Sequence, residues 1–125
     1  MAKKILIIED EELLSGLLRR KFLALGFDVF IADDGEKGVQ SIREINPDLV
    51  LLDIIMPKMS GFEVLKIVRE DSVIANTKII VISNSGQPVE LDKAKELGAA
   101  DWLIKTEFDP NEVVEKAMRL IGPAN

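Results

Sequence analysis

Two rhythms of apolar residues alternate along the chain. Ile5-Leu6-Ile7-Ile8, Leu49-Val50-Leu51-Leu52 and Lys78-Ile79-Ile80-Val81-Ile82 are short, almost unbroken apolar stretches. They suit strands buried on both faces, as in a parallel sheet covered by helices. Phe27-Asp28-Val29-Phe30-Ile31-Ala32 alternates weakly and predicts a strand nearer an edge. Ala100-Asp101-Trp102-Leu103-Ile104 predicts a short last strand. Between these runs the apolar residues recur at helical spacing. Leu13, Leu14, Leu17, Leu18, Phe22 and Leu25 mark a first helix, and Val39 and Ile42 a second. Phe62, Leu65 and Val68 mark a third, Leu91, Ala94 and Leu97 a fourth, and a fifth runs through Ile121. Boundary signals agree with this reading. Gly26 stops the first helix, and Asp34 caps one running from Gly35 to about Ile45. Asn46-Pro47-Asp48 is a turn, Ser60-Gly61-Phe62-Glu63 a capping box, and Pro88 and Gly98 bracket the fourth helix. Asp109-Pro110-Asn111-Glu112 starts the last helix and Gly122-Pro123 ends it. Five strands alternating with five helices imply parallel βαβ units, an α/β doubly wound (βα)5 architecture in one domain spanning 1–125.

Composition narrows the chemistry. Apolar residues are 47% and charged residues 30% of 125, the balance of an ordinary globular domain, and no apolar stretch is long enough to span a bilayer. Lys3-Lys4 before an apolar run resembles a signal peptide's start, but Glu9-Asp10-Glu11-Glu12 ends that run without a small-residue cleavage site; a cytoplasmic protein is expected. The absence of Cys and His removes thiolate chemistry, the usual general base and the commonest zinc ligand. A net charge of −6 with no basic block argues against direct nucleic-acid binding.

The strand ends carry the candidate site. Glu9 and Asp10 follow the first strand, Asp53 ends the third, Ser83 follows the fourth and Lys105 the fifth. In an open parallel sheet these ends share one edge, and ligands bind where strand order reverses. The flavodoxin-like order 2-1-3-4-5 brings Asp10 and Asp53 together, with Ser83 and Lys105 alongside. Carboxylates this close repel unless one is protonated or a cation is present. With no His or Cys, hard oxygen donors favour Mg²⁺, to which the Ile55 carbonyl can add a further oxygen. Lys105 offers a second positive charge and Ser83 a hydroxyl for a phosphoryl oxygen. Asp53, alone at the end of the most buried run, is then the carboxylate placed to attack phosphorus.

These residues resemble the receiver domain of two-component response regulators in its single-domain, chemotaxis-regulator-like form. The likeness covers essentially the whole chain. It rests on Glu9-Asp10, on Asp53 with Met56-Pro57 and Ser60-Gly61, on Ser83 and on Lys105, each at its strand end. The resemblance implies a module that is not a conventional enzyme but catalyses its own phosphorylation and dephosphorylation. It implies Mg²⁺ bound by Asp10, Asp53 and the Ile55 carbonyl with Glu9 assisting, and phosphate received on Asp53 from a sensor histidine kinase or phosphotransfer protein. Ser83 and Trp102 correspond to the family's switch, which remodels the face made by helix four, strand five and helix five. The implied partner is a downstream effector protein, not a membrane, and the implied state is a monomer or a phosphorylation-dependent dimer. The sequence departs from the family in three places. Glu9 replaces the commoner Asp, Asn84 follows Ser83 in place of Ala or Gly, and Thr106 follows Lys105 where the family usually has Pro after a cis bond. A non-proline cis bond costs about 2.5–4 kcal/mol, so a trans Lys105–Thr106 bond is expected. Asn84 and Thr106 are the positions expected to modulate the site.

Other readings fit less well. A degenerate receiver that binds partners without phosphorylation is countered by the intact acids and Lys105. A haloacid-dehalogenase-like phosphatase usually has a second Asp two residues after the nucleophile, where this chain has Ile55. A flavodoxin requires a hydroxyl- and Gly-rich loop where Glu9-Asp10-Glu11-Glu12 would repel phosphate. The charges of Glu90, Asp92, Lys93, Lys95 and Glu96 read as a solvated helix face with i,i+3 pairs.

Overall fold

The unbroken apolar runs form the interior of a five-stranded parallel sheet in a computed structural model that describes residues 2–83, 87–106 and 109–125. The strands are β1 (Lys4–Ile8), β2 (Asp28–Ala32), β3 (Leu49–Asp53), β4 (Ile79–Ser83) and β5 (Asp101–Ile104). Their order is β2-β1-β3-β4-β5, the flavodoxin-like order expected of a doubly wound sheet, and every neighbouring pair is parallel. The helices are α1 (Glu12–Ala24), α2 (Gly35–Ile45), α3 (Gly61–Glu70), α4 (Pro88–Glu96) and α5 (Pro110–Ile121).

The two-residue period of a strand divides the core. Leu6, Ile8, Val50, Leu52, Ile79 and Val81 pack in one layer with Val39 and Ile42 of α2, Val64, Leu65 and Val68 of α3, and Ala94 of α4. Ile5, Ile7, Leu49, Leu51, Ile80, Ile82 and Leu103 pack in the other with Leu18 and Phe22 of α1 and Val113 and Ala117 of α5. Each such Leu, Ile or Phe contributes about 1.5–3 kcal/mol when fully buried. Both faces of β3 are covered, so all five of its residues are buried, Asp53 included. β2 is an edge strand, and Phe30 and Ile31 are correspondingly exposed.

Several caps follow the sequence signals. Asp34 accepts a hydrogen bond from the Lys37 N–H, Ser60 Oγ from the Glu63 N–H, and Asp109 from the Asn111 N–H. The first helix differs from the expectation drawn from its leucines. Leu13 is 92% exposed, and Leu17 and Leu25 also face solvent, while Leu18 and Phe22 are buried. Its leucines lie on more than one side of the helix, and only one stripe can reach the sheet.

Arg69 joins three segments behind the sheet. Its Nη1 donates to the carbonyls of Ala75 and Thr77, each at 2.8 Å, and its Nη2 to that of Gly98 at 2.7 Å. Gly98 has φ +88°, and a Cβ there would lie 2.5 Å from Arg69 Nε, so both backbone and space call for glycine. Arg69→Ala removes three charge-assisted bonds and should lower unfolding free energy by about 2–3 kcal/mol, read by urea denaturation. A change of only a few tenths would contradict this role.

Candidate functional site

The chain leaves β1 toward β2 on one side and returns to β3 on the other, which opens a crevice at the carboxyl ends of β1 and β3. Ile8 is in register with Leu52, so Glu9 follows beside Asp53. Both are buried, Glu9 at 1% exposure and Asp53 at 0%. Asp10 is exposed, and one carboxylate oxygen from each of Glu9, Asp10 and Asp53 lies within 4.8 Å of the others. Lys105 reaches this cluster from the turn after β5. Its Nζ is 3.1 Å from Asp53 Oδ2, 3.1 Å from Glu9 Oε1 and 2.8 Å from Glu11 Oε2. The other Asp53 oxygen, Oδ1, accepts from the Ile55 N–H at 3.3 Å.

The loop after Asp53 is drawn tightly back. The Gly61 N–H donates to the Ile54 carbonyl at 2.7 Å. A Cβ on Gly61 would lie 2.5 Å from the Asp53 carbonyl oxygen, so this approach requires glycine. Ser60 then starts α3, and Asp53 is fixed between a covered strand and a capped helix.

Electrostatics at this edge are unbalanced. Burial, first, and then the hydrogen bond and charge of Asp53 push the Glu9 carboxyl up from 4.5 to about 8, against the opposing pull of Lys105. For Lys105, burial acts to lower the pKa, but the ion pairs with Glu11, Asp53 and Glu9 reverse this and hold it above the ordinary lysine value. Glu9 Oε1 lies near Lys105 Nζ without hydrogen-bond geometry; among the described residues it is the buried side-chain oxygen left without such a bond. Three convergent carboxylates, one with an orphaned buried oxygen, fit a hard divalent cation such as Mg²⁺.

A pH dependence follows. Folded Glu9 keeps its proton to about pH 8, whereas the unfolded carboxyl loses it near 4.5. Between those values unfolding releases a proton, so metal-free stability should fall as pH rises through this window. Urea midpoints measured without Mg²⁺ should fall across it in the wild type and much less in Glu9→Gln; parallel profiles would count against the assignment.

The other expected site residues are placed as follows. Ser83 is fully buried, and its carbonyl accepts from the Lys105 N–H at 2.7 Å. Its Oγ donates to Glu90 Oε1 at 3.3 Å. Trp102 is half-buried on β5; its carbonyl accepts from Lys116 Nζ at 2.6 Å, and that ammonium lies 6.0 Å from the ring centroid. The Ile55 side chain is exposed, and its N–H is committed to Asp53. Thr106 is exposed, and the Lys105–Thr106 bond is trans. Asn84 lies outside the described residues. Asp10 does not cap α1, whose N-cap position is Glu11, without a side-chain cap bond.

Two residues were not foreseen. Glu11 makes the shortest ion pair with Lys105, and its only sequence signal was adjacency to Glu9-Asp10. Glu90, expected on a solvated face, is half-buried and bonded to Ser83; nothing in the local pattern marks it, because the fold supplies its partner.

Comparison with known proteins agrees with this fold. The family model of the response regulator receiver domain matches residues 5–118. The chain is 33% identical over 116 residues to the DNA-binding response regulator MtrA of Mycobacterium tuberculosis, covering 93% of this chain and 49% of that protein. It is 35% identical over 113 residues to the alkaline phosphatase synthesis transcriptional regulatory protein PhoP of Bacillus subtilis, covering 90% and 46%. The chain thus spans about half the length of the curated relatives it matches. Among solved structures, the chemotaxis protein CheY4 of Vibrio cholerae superposes with a TM-score of 0.89 at 27% identity, covering 96% of this chain and 99% of that one. A putative response regulator from Chloroflexus aurantiacus gives 0.90 at 26%, covering 97% and 98%. In fold and in sequence, the chain belongs to the response-regulator receiver domains of two-component signalling.

Proposed function

We propose that the protein is a phosphorylation-controlled signalling module whose acceptor is Asp53. One observation carries this reading: a fully buried carboxylate at the end of the central strand is held by the Lys105 ammonium among other acids. A carboxylate so placed is costly to bury without a task for its oxygens. An Asp53 oxygen attacks phosphorus, a P–O bond forms, and the bond to the donor breaks. With a kinase phosphohistidine the electron pair leaves on the imidazole nitrogen, which takes up a proton. Glu9, Asp10 and Asp53, with the Ile55 carbonyl, would hold Mg²⁺, which supplies charge neutralisation for the phosphoryl oxygens. Lys105 shifts from carboxylates to a phosphoryl oxygen, and Ser83 Oγ donates to another. Water later hydrolyses the acyl phosphate, and Asn84 and Thr106 flank the residues that set its lifetime.

The readout is a protein surface on α4, β5 and α5, with Trp102 as its aromatic reporter. Its partners are a sensor histidine kinase or phosphotransfer protein as donor and an effector protein as receiver of the signal, in the cytoplasm. The added charge biases a two-state element. With acetyl phosphate and Mg²⁺, intact mass should reveal one phosphoryl adduct, and omission of Mg²⁺ should suppress it. No adduct with any acyl or phosphohistidine donor would overturn the proposal in favour of a phosphorylation-independent binding module.

A further inference from the structure

We propose that Glu90 is a positioning residue: it holds Ser83, and through Ser83 the first turn of α4, in the unphosphorylated arrangement. This rests on the phosphoacceptor reading of Asp53 and adds a residue of this chain that controls how the signal leaves.

The observation is the bond from Ser83 Oγ to Glu90 Oε1, 3.3 Å long and spanning seven residues, from the end of β4 to the first turn of α4. Ser83 is fully buried, one position past Ile82, which is in register with Asp53. A hydroxyl has one proton to donate. Ser83 therefore serves either Glu90 or a phosphoryl oxygen on Asp53, not both. The phosphoryl group also brings about −1.5 to −2 charge toward a carboxylate, which disfavours Glu90 in its present place.

α4 is built to respond at that end. Its C-terminal side is anchored where the Gly98 carbonyl meets Arg69 and where the Ala99 N–H donates to the Ala94 carbonyl. Ala94 is the buried residue of the helix, and Lys93 rests over the Phe62 ring at 4.5 Å. Toward the N-terminus, Val89 is 79% exposed, Leu91 is half-buried, and Pro88 has no N–H to give. The Ser83–Glu90 bond is one of the ties between this lightly packed turn and the sheet. Transfer of the Ser83 hydrogen bond to a phosphoryl oxygen releases the turn while the Arg69 end stays fixed, so α4 moves as a lever pivoting near Gly98.

The test is amide hydrogen exchange on the full chain, first without any phosphodonor. Glu90→Ala should speed exchange of the amides at 89–94 by about three- to tenfold, the range expected for one lost hydrogen bond in a local opening. Ser83→Ala should do the same, and the double variant less than the sum of the two, because both break the Ser83–Glu90 bond. Glu90→Gln keeps an acceptor oxygen and should stay near wild type, which a merely structural loss of bulk would not explain. With Mg²⁺ and beryllofluoride, the wild type should reach the exchange of Glu90→Ala, and Glu90→Ala should gain little more. Wild-type exchange in both single variants, additive effects, or Glu90→Gln matching Glu90→Ala would overturn the proposal. Failure of the wild type to take up phosphate or beryllofluoride would instead strike the phosphoacceptor reading, and the donor-free comparison of variants would still decide the role of Glu90.

Discussion

Asp53→Asn should take up no phosphoryl group from acetyl phosphate under conditions where wild type forms one adduct, and without Mg²⁺ it should resist urea better than wild type. The first result follows from chemistry. An amide oxygen is a poor nucleophile toward phosphorus, and no other carboxylate in the cluster sits where Lys105 and the Ile55 N–H both address it. The second follows from the charge balance. Glu9, Asp10, Glu11 and Asp53 gather around the Lys105 ammonium, and Asp53 is the neighbour that helps push Glu9 to about 8. Asparagine keeps the shape and an acceptor for Lys105 while removing one repelling charge. A gain of about 1–2 kcal/mol is expected, in the range of substitutions that relieve a strained functional site. Saturating Mg²⁺ should shrink or reverse the gain, since it stabilises wild type more than the variant. Intact mass and paired urea curves with and without Mg²⁺ read both parts. Equal adduct formation would remove Asp53 from the acceptor role, and a large loss of stability would show that the Asp53–Lys105 attraction outweighs the repulsion.

Lys105→Ala should have the opposite sign on stability and still impair the chemistry. Asp53 and Glu9 are fully buried, and Lys105 is the cation that meets them both. Stripping one partner from a buried charge cluster costs about 3–5 kcal/mol. The loss should be greatest above pH 8, where Glu9 would ionise, and smaller near pH 5, where it holds a proton. Added Mg²⁺ should restore part of the stability, because a cation bound to the same acids replaces the missing charge. Phosphorylation by acetyl phosphate should slow by about 10²–10³-fold even with Mg²⁺, the usual effect of losing one donor to a developing charge. Single-turnover rates at saturating donor measure it. A rate within a few-fold of wild type would reduce Lys105 to a structural counter-ion.

The elements most readable in the sequence were those with a single dominant constraint. The runs at β1, β3 and β4 are apolar on both faces because helices cover both sides, and a strand with one face in water would alternate instead. Asp34, Ser60 and Asp109 cap their helices as their side-chain chemistry predicts. The first helix was less readable, because six apolar residues exceed what one stripe can bury, and only the sheet's position selects Leu18 and Phe22 over Leu13 and Leu17. Glu9, Asp53 and Lys105 were legible as charges that would meet at the strand ends because each ends an apolar run, where burying a charge is costly unless a partner or ligand meets it. Glu11 and Glu90 were not. Each lies in a charged stretch that solvent could satisfy, and their partners come from the turn after β5 and from the end of β4, far away in sequence or around a turn.

The alternation of strands and helices and three of the clustered acids, Glu9, Asp10 and Asp53, were therefore set by local patterning, since apolar periodicity and the polar residue at each strand end act over a few positions. Tertiary packing alone decided how the charges share one ammonium, why Glu9 keeps its proton, and which acid holds Ser83. Those outcomes depend on distances of about 3 Å between groups on different elements and on exclusion of water, which no local run of residues encodes.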